Sequence, residues 1–275
     1  MQRPARTDEQ ARTGFRALQF GRAAARYDEV ADVQREMAAR LARFCPAGLA
    51  PRRVLELGCG TGLFTEQLRR RFPSAWLSAS DWSEQMLAAC RTRMARLGGE
   101  RIEYLVLDAS GQRDSPTPAF RCDLLASNAL VQWFADPAPH LELAVRLLAP
   151  GGTYLLATFG PRNLEQLWDT LAPYELRGAA FHVPSQLAAA ARDVGFHVAD
   201  ASQGDVDIVY PSFAHLLRAI RDMGGSRYPG ERRLGRRQLE EIGATYERRY
   251  GCGDRKGVRA TWQFFCLRLV SPARS

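Results

Sequence analysis

The chain has 275 residues, 46% of them hydrophobic, and a formal net charge of +8. This length and apolar content suffice to bury the core of one α/β domain, and the excess of positive charge favours an acidic partner. No apolar run reaches the roughly 18 residues of a membrane helix, and the arginine-containing N-terminus lacks the apolar stretch of a signal peptide. We therefore expect a cytoplasmic protein with no membrane association.

The cysteines and histidines predict neither disulfides nor a metal site. The six cysteines contain no C-x-x-C pair, and the four histidines lack the spacing of metal ligands. Cys59 has no neighbouring histidine that would act as a base, so a nucleophilic role for it is disfavoured.

The N-terminal part predicts a polar tail followed by a helical cap. Residues 1–14 are polar, and we expect them to be disordered. Residues 15–51 form the predicted cap. It contains an amphipathic helix with apolar residues at near-helical spacing, namely Val30, Val33, Met37 and Leu41.

An apolar strand over residues 54–57 runs into three glycines at alternate positions, Gly58, Gly60 and Gly62. Only glycine lacks the Cβ that collides where backbone passes close to a ligand, so this turn predicts a site for a nucleoside-bearing cofactor. The dinucleotide fingerprint G-x-G-x-x-G requires a third glycine where the chain has Leu63, which disfavours NAD. A tight turn without a ligand is the alternative.

The second predicted strand, residues 75–80, ends at a carboxylate. Asp81 follows it, and Ser83 is the expected N-cap of the next helix. Asp81 lies about 20 residues beyond the glycines, the distance expected of the acid that accepts ribose hydroxyls in a nucleoside-binding βαβ unit. The alternative is a solvated residue at a helix start.

The rest of the chain continues the alternation of strands and helices. Strands over residues 102–107 and 122–128 bring Asp108 and Asn128 to the carboxyl edge of the sheet, where open α/β sheets bind ligands. Pro150-Gly151-Gly152 predicts a sharp turn into a fifth strand. The later expected elements are a strand over 153–159, helices over 163–171 and 185–193, and strands over 196–209 and 258–269 that form an antiparallel edge.

The glycine turn and the Asp81 segment together resemble class I S-adenosylmethionine-dependent methyltransferases. The resemblance implies an α/β, Rossmann-like fold with a mostly parallel seven-stranded sheet, helices on both faces, an N-terminal helical cap and an inserted helical lid before the last strand. The implied divisions are a cofactor-binding core over 52–210, the lid over 211–257, and the last strand with its tail over 258–275. The implied contacts to S-adenosylmethionine are Glu56, Gly58, Cys59, Gly60, Gly62, Asp81, Trp82, Met86, Asp108, Ala109 and Asn128.

A narrower resemblance, over residues 20–269, is to the malonyl-acyl carrier protein O-methyltransferases of biotin synthesis. It is carried by residues 20–38, by Leu130–Phe134, by Thr158–Leu164 and by the segment from Leu217 to Arg237. It implies methyl transfer from S-adenosylmethionine to the free carboxylate of malonyl-acyl carrier protein or malonyl-CoA, giving the ester that primes pimeloyl and biotin synthesis. Malonyl-acyl carrier protein is then the partner of a monomeric enzyme that binds no nucleic acid.

This chemistry requires no general base, because a carboxylate with a pKa near 4 is already ionised at neutral pH. Positioning roles are expected for Tyr27 and Phe181. Arginines are expected to capture the carboxylate and the acidic carrier, since Arg232 and Arg236 align at i,i+4, as do Arg233 and Arg237. The expected substrate and carrier contacts are Arg22, Trp133, Phe159, Arg227, Arg232, Arg233, Arg236 and Arg237.

Other interpretations remain open from the sequence. The arginines fit an ordinary solvated face as well as a docking face. An RNA methyltransferase would share the cofactor half, but Ser127-Asn128-Ala129-Leu130 lacks the Pro-Pro-aromatic element that resembles base-amine methyltransferases. A methyltransferase acting on another small carboxylic acid and a non-catalytic S-adenosylmethionine-binding protein are the two further alternatives.

Overall fold

Seven strands form one mixed sheet in the computed structural model of the chain, which describes residues 28–111, 117–176, 181–223, 234–253 and 256–273. The strands are β1 (Arg53–Leu57), β2 (Trp76–Asp81), β3 (Ile102–Val106), β4 (Cys122–Asn128), β5 (Leu148–Phe159), β6 (His197–Tyr210) and β7 (Val258–Val270). Their order across the sheet is β3-β2-β1-β4-β5-β7-β6. Strands β1 to β5 are parallel, and β7 pairs antiparallel to both β5 and β6. The expected α/β class and mostly parallel seven-stranded sheet are confirmed.

Eight α-helices accompany the sheet within the described ranges. They are α1 (Asp32–Phe44), α2 (Leu63–Arg71), α3 (Glu84–Ala95), α4 (Ala138–Leu147), α5 (Glu165–Leu171), α6 (Pro184–Asp193), α7 (Phe213–Asp222) and α8 (Arg236–Tyr250). Among these helices, none is long and apolar enough to cross a membrane.

The two faces of the sheet carry separate hydrophobic cores, because alternate side chains of a strand point to opposite faces. On β4, for example, Leu124 belongs to one core and Leu125 to the other. The first core also contains apolar residues of α1, α2, α5, α7 and α8, whereas the second contains those of α4 and α6. The near-continuous burial of β1, β4 and β5 is typical of parallel strands covered on both faces.

The amphipathic pattern of the N-terminal cap produces α1. Val33, Met37 and Leu41 recur at helical spacing and are buried in the first core beside α2 and the sheet. The predicted capping of α3 is confirmed, since the Met86 backbone N–H donates to Ser83 Oγ over 3.3 Å. The expected disorder of residues 1–14 lies outside the described residues.

Around Pro150 the structure differs from the expected sharp turn. Strand β5 already begins at Leu148, which pairs with Cys122, and the next paired residue, Thr153, lies opposite Leu124. Residues 149–152 therefore form a bulge against the single residue Asp123. Gly151 has φ +72°, a conformation that glycine adopts without strain, so the same sequence signal produces an outward bulge within one strand.

The segment over 211–257 is anchored in the first core through its helices. The rings of Phe213 on α7 and Tyr246 on α8 lie 5.2 Å apart, and both side chains are buried. The Tyr246 hydroxyl donates to the backbone oxygen of Arg259 on β7 over 2.8 Å. The two helices α7 and α8 thus extend the helical layer on this face of the sheet.

Candidate active site

The turn between β1 and α2 forms the centre of the candidate site. Gly58, Gly60 and Gly62 have φ values of +68°, +54° and +89°. These φ values favour glycine at all three positions, and at Gly62 a Cβ would also lie 2.9 Å from Cys90 Sγ and 3.3 Å from the Cys90 Cα. At Gly60 a Cβ would meet nothing within 4 Å. Bare backbone therefore faces open space at the middle glycine, as a site for a closely approaching ligand requires.

Asp81 lies against this turn at the end of β2. The Gly60 N–H donates to Asp81 Oδ2 and the Ser83 N–H donates to Oδ1, each over 2.9 Å. Burial raises the pKa of Asp81, and the hydrogen bonds from the backbone N–H groups of Ser83 and Gly60 partly oppose that rise. Each carboxylate oxygen accepts one backbone N–H and has a further acceptor position, which suits a pair of vicinal hydroxyls. The neighbouring Trp82 is 43% exposed.

Glu56 lies below the turn. Its side chain is 1% exposed, and the Thr65 hydroxyl on α2 donates to Oε2 over 2.6 Å. Burial raises the pKa of Glu56 well above its ordinary range, and the hydrogen bond from Thr65 offsets only part of this effect. The structure thus places Glu56 beneath the turn rather than on its open side, so its contact with a cofactor stays a prediction.

Cys59 and Met86 are also packed inside the site rather than lining an exposed surface. Cys59 is buried, and its backbone N–H donates to the Ser80 oxygen over 2.8 Å, which fastens the glycine turn to β2. The hydrogen bond with Cys90 and then burial raise the pKa of the Cys59 thiol, which favours the protonated form. Met86 is buried in the first turn of α3.

Thr61 and Arg93, which the sequence analysis did not single out, hold Asp28, the first described residue, against the glycine turn. The Thr61 hydroxyl donates to Asp28 Oδ1 over 2.7 Å, and the Arg93 guanidinium forms an ion pair with the same carboxylate. Arg93 also donates through Nε to the Thr61 backbone oxygen over 2.8 Å. No local pattern predicts this contact, because Asp28, Thr61 and Arg93 belong to three distant stretches of chain.

The loop after β3 holds the other predicted carboxylate. Asp108 Oδ1 accepts from the Ser110 N–H over 2.8 Å. The next residue, Ala109, has its backbone oxygen 2.6 Å from His140 Nδ1. His140 is fully buried at the start of α4, and burial lowers its pKa to about 4. In the sequence, the spacing of the histidines indicated no metal site and gave no sign of this contact.

Asn128 ends β4 beside the crevice between β1 and β4, where the strand order reverses direction. Its Nδ2 donates to the backbone oxygen of Gln34 over 3.0 Å, and Gln34 Nε2 contacts Met223 Sδ over 3.2 Å. Within the described ranges, the side-chain oxygens of Asn128 and Gln34 are buried without a hydrogen-bond partner. Gln34 connects the N-terminal helix and the inserted segment to the strand end.

Aromatic rings lie at the end of β5. The ring of Phe159 is 5.9 Å from that of Phe181 and 5.7 Å from that of Trp262. Phe159 is buried and Phe181 is half-buried. Trp133 is half-buried in a one-turn 3₁₀ helix, Val131–Trp133, that follows β4. The structure therefore brings Phe159 and Phe181 together.

Of the predicted arginines, the structure describes two. Arg236 and Arg237 begin α8 and are 94% and 92% exposed. Each uses Nε for an i,i+4 ion pair, Arg236 with Glu240 over 2.9 Å and Arg237 with Glu241 over 3.2 Å. This helix face consequently carries both signs of charge. Tyr27, Arg22, Arg227, Arg232 and Arg233 lie outside the described residues.

Comparison with known proteins identifies the family of the chain. A sequence model described as a methyltransferase domain matches residues 54–152. A malonyl-[acyl-carrier protein] O-methyltransferase of Dechloromonas aromatica is 35% identical over 216 residues, which cover 78% of each chain. The chain belongs to this family. A relative of the same name from Paenibacillus sp. is 30% identical over 267 residues, covering 90% of this chain and 95% of its own.

Solved structures agree on the fold. A Bacillus halodurans protein described as a putative methyltransferase has a TM-score of 0.62 at 15% identity, covering 86% of this chain and 99% of its own. The N-methyltransferase NodS of Bradyrhizobium japonicum, in complex with S-adenosylhomocysteine, has a TM-score of 0.51 at 16% identity, covering 86% of this chain and 87% of its own. This methyltransferase uses S-adenosylmethionine, and the open backbone at Gly60 beside the Asp81 acceptors fits that cofactor.

In the part of the chain that the structure describes, no group of three or more histidine, cysteine or acidic side chains could hold a metal ion. The cysteines described there are all free.

Proposed function

We propose that this methyltransferase esterifies the free carboxylate of malonyl-acyl carrier protein, giving the methyl ester that primes pimeloyl and biotin synthesis. The similarity to a malonyl-[acyl-carrier protein] O-methyltransferase over 90% of this chain carries the proposal. That span is too long to be confined to the cofactor-binding core. It supports a shared substrate rather than a shared cofactor alone.

In this proposal the cofactor's nucleoside lies between the second and third strand ends. Asp81 accepts the two ribose hydroxyls through the acceptor positions left beside the Gly60 and Ser83 N–H groups. Trp82 borders the adenosine, and Asp108 accepts the adenine amino group. The backbone of Gly60 permits the close approach that this arrangement needs.

When bound, S-adenosylmethionine supplies a methyl group on a positively charged sulfur. The malonyl carboxylate is ionised at neutral pH, so no side chain has to remove a proton from it. The protein's contribution is alignment and exclusion of water. Phe159, Phe181 and Trp262 form a contiguous aromatic group at the strand ends that suits the second role. Tyr27 is the other residue proposed to position the reacting groups.

The acidic carrier is proposed to dock on arginines of the inserted segment. Arg236 and Arg237 are almost fully exposed, and their ion pairs occupy only the Nε atoms. The terminal guanidinium nitrogens face solvent and suit contacts with carboxylates of a carrier. Arg22, Arg227, Arg232 and Arg233 complete the proposed set of arginines, while Trp133 is proposed to border the substrate.

The direct test is methyl transfer from labelled S-adenosylmethionine to separate acceptors, namely malonyl-acyl carrier protein, malonyl-CoA, free malonate and bulk RNA. We expect label on the malonyl carrier as a base-labile ester, and none with Asp81→Ala at the same cofactor concentration. Label on malonyl-CoA or malonate in preference to the carrier would support the small-acid alternative. Label on RNA would refute the proposal, and cofactor binding without transfer to any acceptor would identify a binding protein.

A further inference from the structure

A buried chain of hydrogen bonds joins the loop after β3 to the end of β4. His140 Nδ1 lies 2.6 Å from the Ala109 backbone oxygen, and His140 Nε2 lies 2.7 Å from the Tyr154 hydroxyl. The Tyr154 hydroxyl lies 2.8 Å from Ser127 Oγ. His140, Tyr154 and Ser127 are all buried, so each polar atom depends on this chain for a partner.

The Ala109 carbonyl fixes the direction of each hydrogen bond in this buried series. Because a carbonyl oxygen only accepts, His140 Nδ1 must carry the hydrogen, and Nε2 then accepts from the Tyr154 hydroxyl. The Tyr154 oxygen in turn accepts from Ser127. Burial keeps His140 neutral at working pH, with a pKa of about 4, and Asp108 is the charged group that opposes this effect.

The two ends of the chain adjoin residues assigned to the cofactor. Ala109 follows Asp108, and Ser127 precedes Asn128. A second contact presses the same loop onto α4, since a Cβ on Gly111 would lie 1.9 Å from the Pro139 oxygen. The loop that carries Asp108 is therefore held at Ala109 and at Gly111, both times by residues at the start of α4.

We propose that His140 is a positioning residue that sets Asp108 against the adenine amino group. It acts through the Ala109 carbonyl rather than by touching the cofactor. The proposal rests on the assignment of Asp108 made under Proposed function. It predicts that His140 governs how strongly the protein distinguishes an adenine from a purine that lacks the amino group.

Two amide substitutions separate this role from simple core packing. The side-chain nitrogen of asparagine lies as far from the backbone as His Nδ1, so His140→Asn keeps a donor for Ala109 and loses the contact with Tyr154. Glutamine is one carbon longer and reaches the Nε2 position, so His140→Gln keeps an acceptor for Tyr154 and loses the contact with Ala109. A packing role would make the two variants similar, because both leave a smaller, polar side chain in the same space.

The test is calorimetric titration of the full chain with S-adenosylhomocysteine and with S-inosylhomocysteine, in which a carbonyl replaces the amino group. We expect the wild type to prefer the adenosyl ligand by about tenfold or more, the effect of one hydrogen bond to a charged acceptor. In His140→Asn, the preference for the adenosyl ligand should differ from the wild-type preference by less than about threefold. In His140→Gln, the preference itself should fall below about threefold. Affinity for the inosyl ligand should change little in either variant.

Equal losses of affinity for both ligands in the two variants would overturn the proposal in favour of a packing role. Equal binding of both ligands by the wild type would overturn it by refuting the assignment of Asp108 to the adenine amino group. Failure of the wild type to bind either ligand would refute the proposed cofactor site as well. If His140→Gln does not fold, Tyr154→Phe decides the matter, because it leaves the Ala109 contact intact and must keep the wild-type ratio. A collapsed ratio in Tyr154→Phe would overturn the proposal.

Discussion

Replacing Asp81 with alanine removes the acceptor on which the proposed ribose site depends. Two hydroxyls donating to a carboxylate contribute about 1.5–3 kcal/mol each, and about 1.4 kcal/mol corresponds to a tenfold change in affinity. Loss of one bond therefore weakens binding by about 10- to 100-fold, and loss of both by about 10²- to 10⁴-fold. We expect Asp81→Ala to lower affinity for S-adenosylhomocysteine by more than about tenfold in calorimetric titration.

The chain offers a matched control at the opposite edge of the sheet. Asp123 accepts from the backbone N–H groups of Arg52 and Arg53 over 2.8 and 2.9 Å, as Asp81 accepts from two backbone N–H groups at its own edge. Both alanine variants leave two N–H groups without that partner, so both should lower the free energy of unfolding by about 1–3 kcal/mol. Only Asp81→Ala should lower the affinity for S-adenosylhomocysteine. Wild-type affinity in a folded Asp81→Ala variant would refute the ribose assignment.

The same carboxylate gives affinity a pH dependence. Burial raises the pKa of Asp81, so the folded protein without ligand is stabilised by the protonated form at low pH and loses that contribution as pH rises through the raised pKa. The ligand requires the ionised acceptor, so affinity should fall on acidification with a midpoint above 3.8, the ordinary pKa of an aspartate. Titrations from pH 8 downwards should show this fall in the wild type. The Asp81→Ala variant should show a shallower fall, and an equal slope in both would exclude Asp81 as its origin.

Three further predictions concern other parts of the site. Glu56→Gln keeps the partner for Thr65 and removes a carboxyl whose pKa burial raises, so its melting temperature should fall less steeply from pH 5 to 9 than that of the wild type; parallel curves would contradict the burial argument. Phe181 is half-buried, so Phe181→Ala should lower kcat by about tenfold. Phe159 is buried, so Phe159→Ala should lower kcat and also lower the free energy of unfolding by about 3–5 kcal/mol. An unchanged kcat in Phe181→Ala would refute its positioning role. Reversing both exposed arginines, Arg236→Glu with Arg237→Glu, should raise KM for malonyl-acyl carrier protein at low salt and leave KM for malonyl-CoA unchanged, and Arg192→Glu on α6 is the control that should alter neither.

Periodic and local features of the sequence were sufficient to predict most of the fold. Apolar runs gave the strands, and the glycine turn with Ser83 gave the starts of two helices, because each of these signals lies within a few neighbouring residues. The fifth strand was predicted to begin after the Pro150-Gly151-Gly152 turn, whereas it begins at Leu148 and the same residues form a bulge within it. A turn and a bulge need the same backbone freedom, and only the pairing of Leu148 with Cys122 distinguishes them.

The approach of Asp81 to the glycine turn was predictable because the spacing of the two segments indicates it. Asp81 meets Gly60 because parallel strands end at a common edge, which spacing alone indicates. The contacts of Asp28 with Thr61 and of His140 with Ala109 join residues 33 and 31 positions apart. Such pairs leave no periodic trace, since a single contact between loops fixes neither the residue type nor the spacing of its neighbours.

Gln34 shows how the inserted segment and the cofactor edge depend on one another. Its backbone oxygen accepts from Asn128 at the strand end, while its side chain contacts Met223 at the end of α7. Burying an amide oxygen without a partner costs about 1–3 kcal/mol, and among the residues described here the oxygens of Gln34 and Asn128 are both in that condition. The two hydrophobic cores must offset this cost, and they do so from either face of the same strands. The buried oxygens of Gln34 and Asn128 thus lie beside the end of β4, at the edge where the methyl-transfer site is proposed.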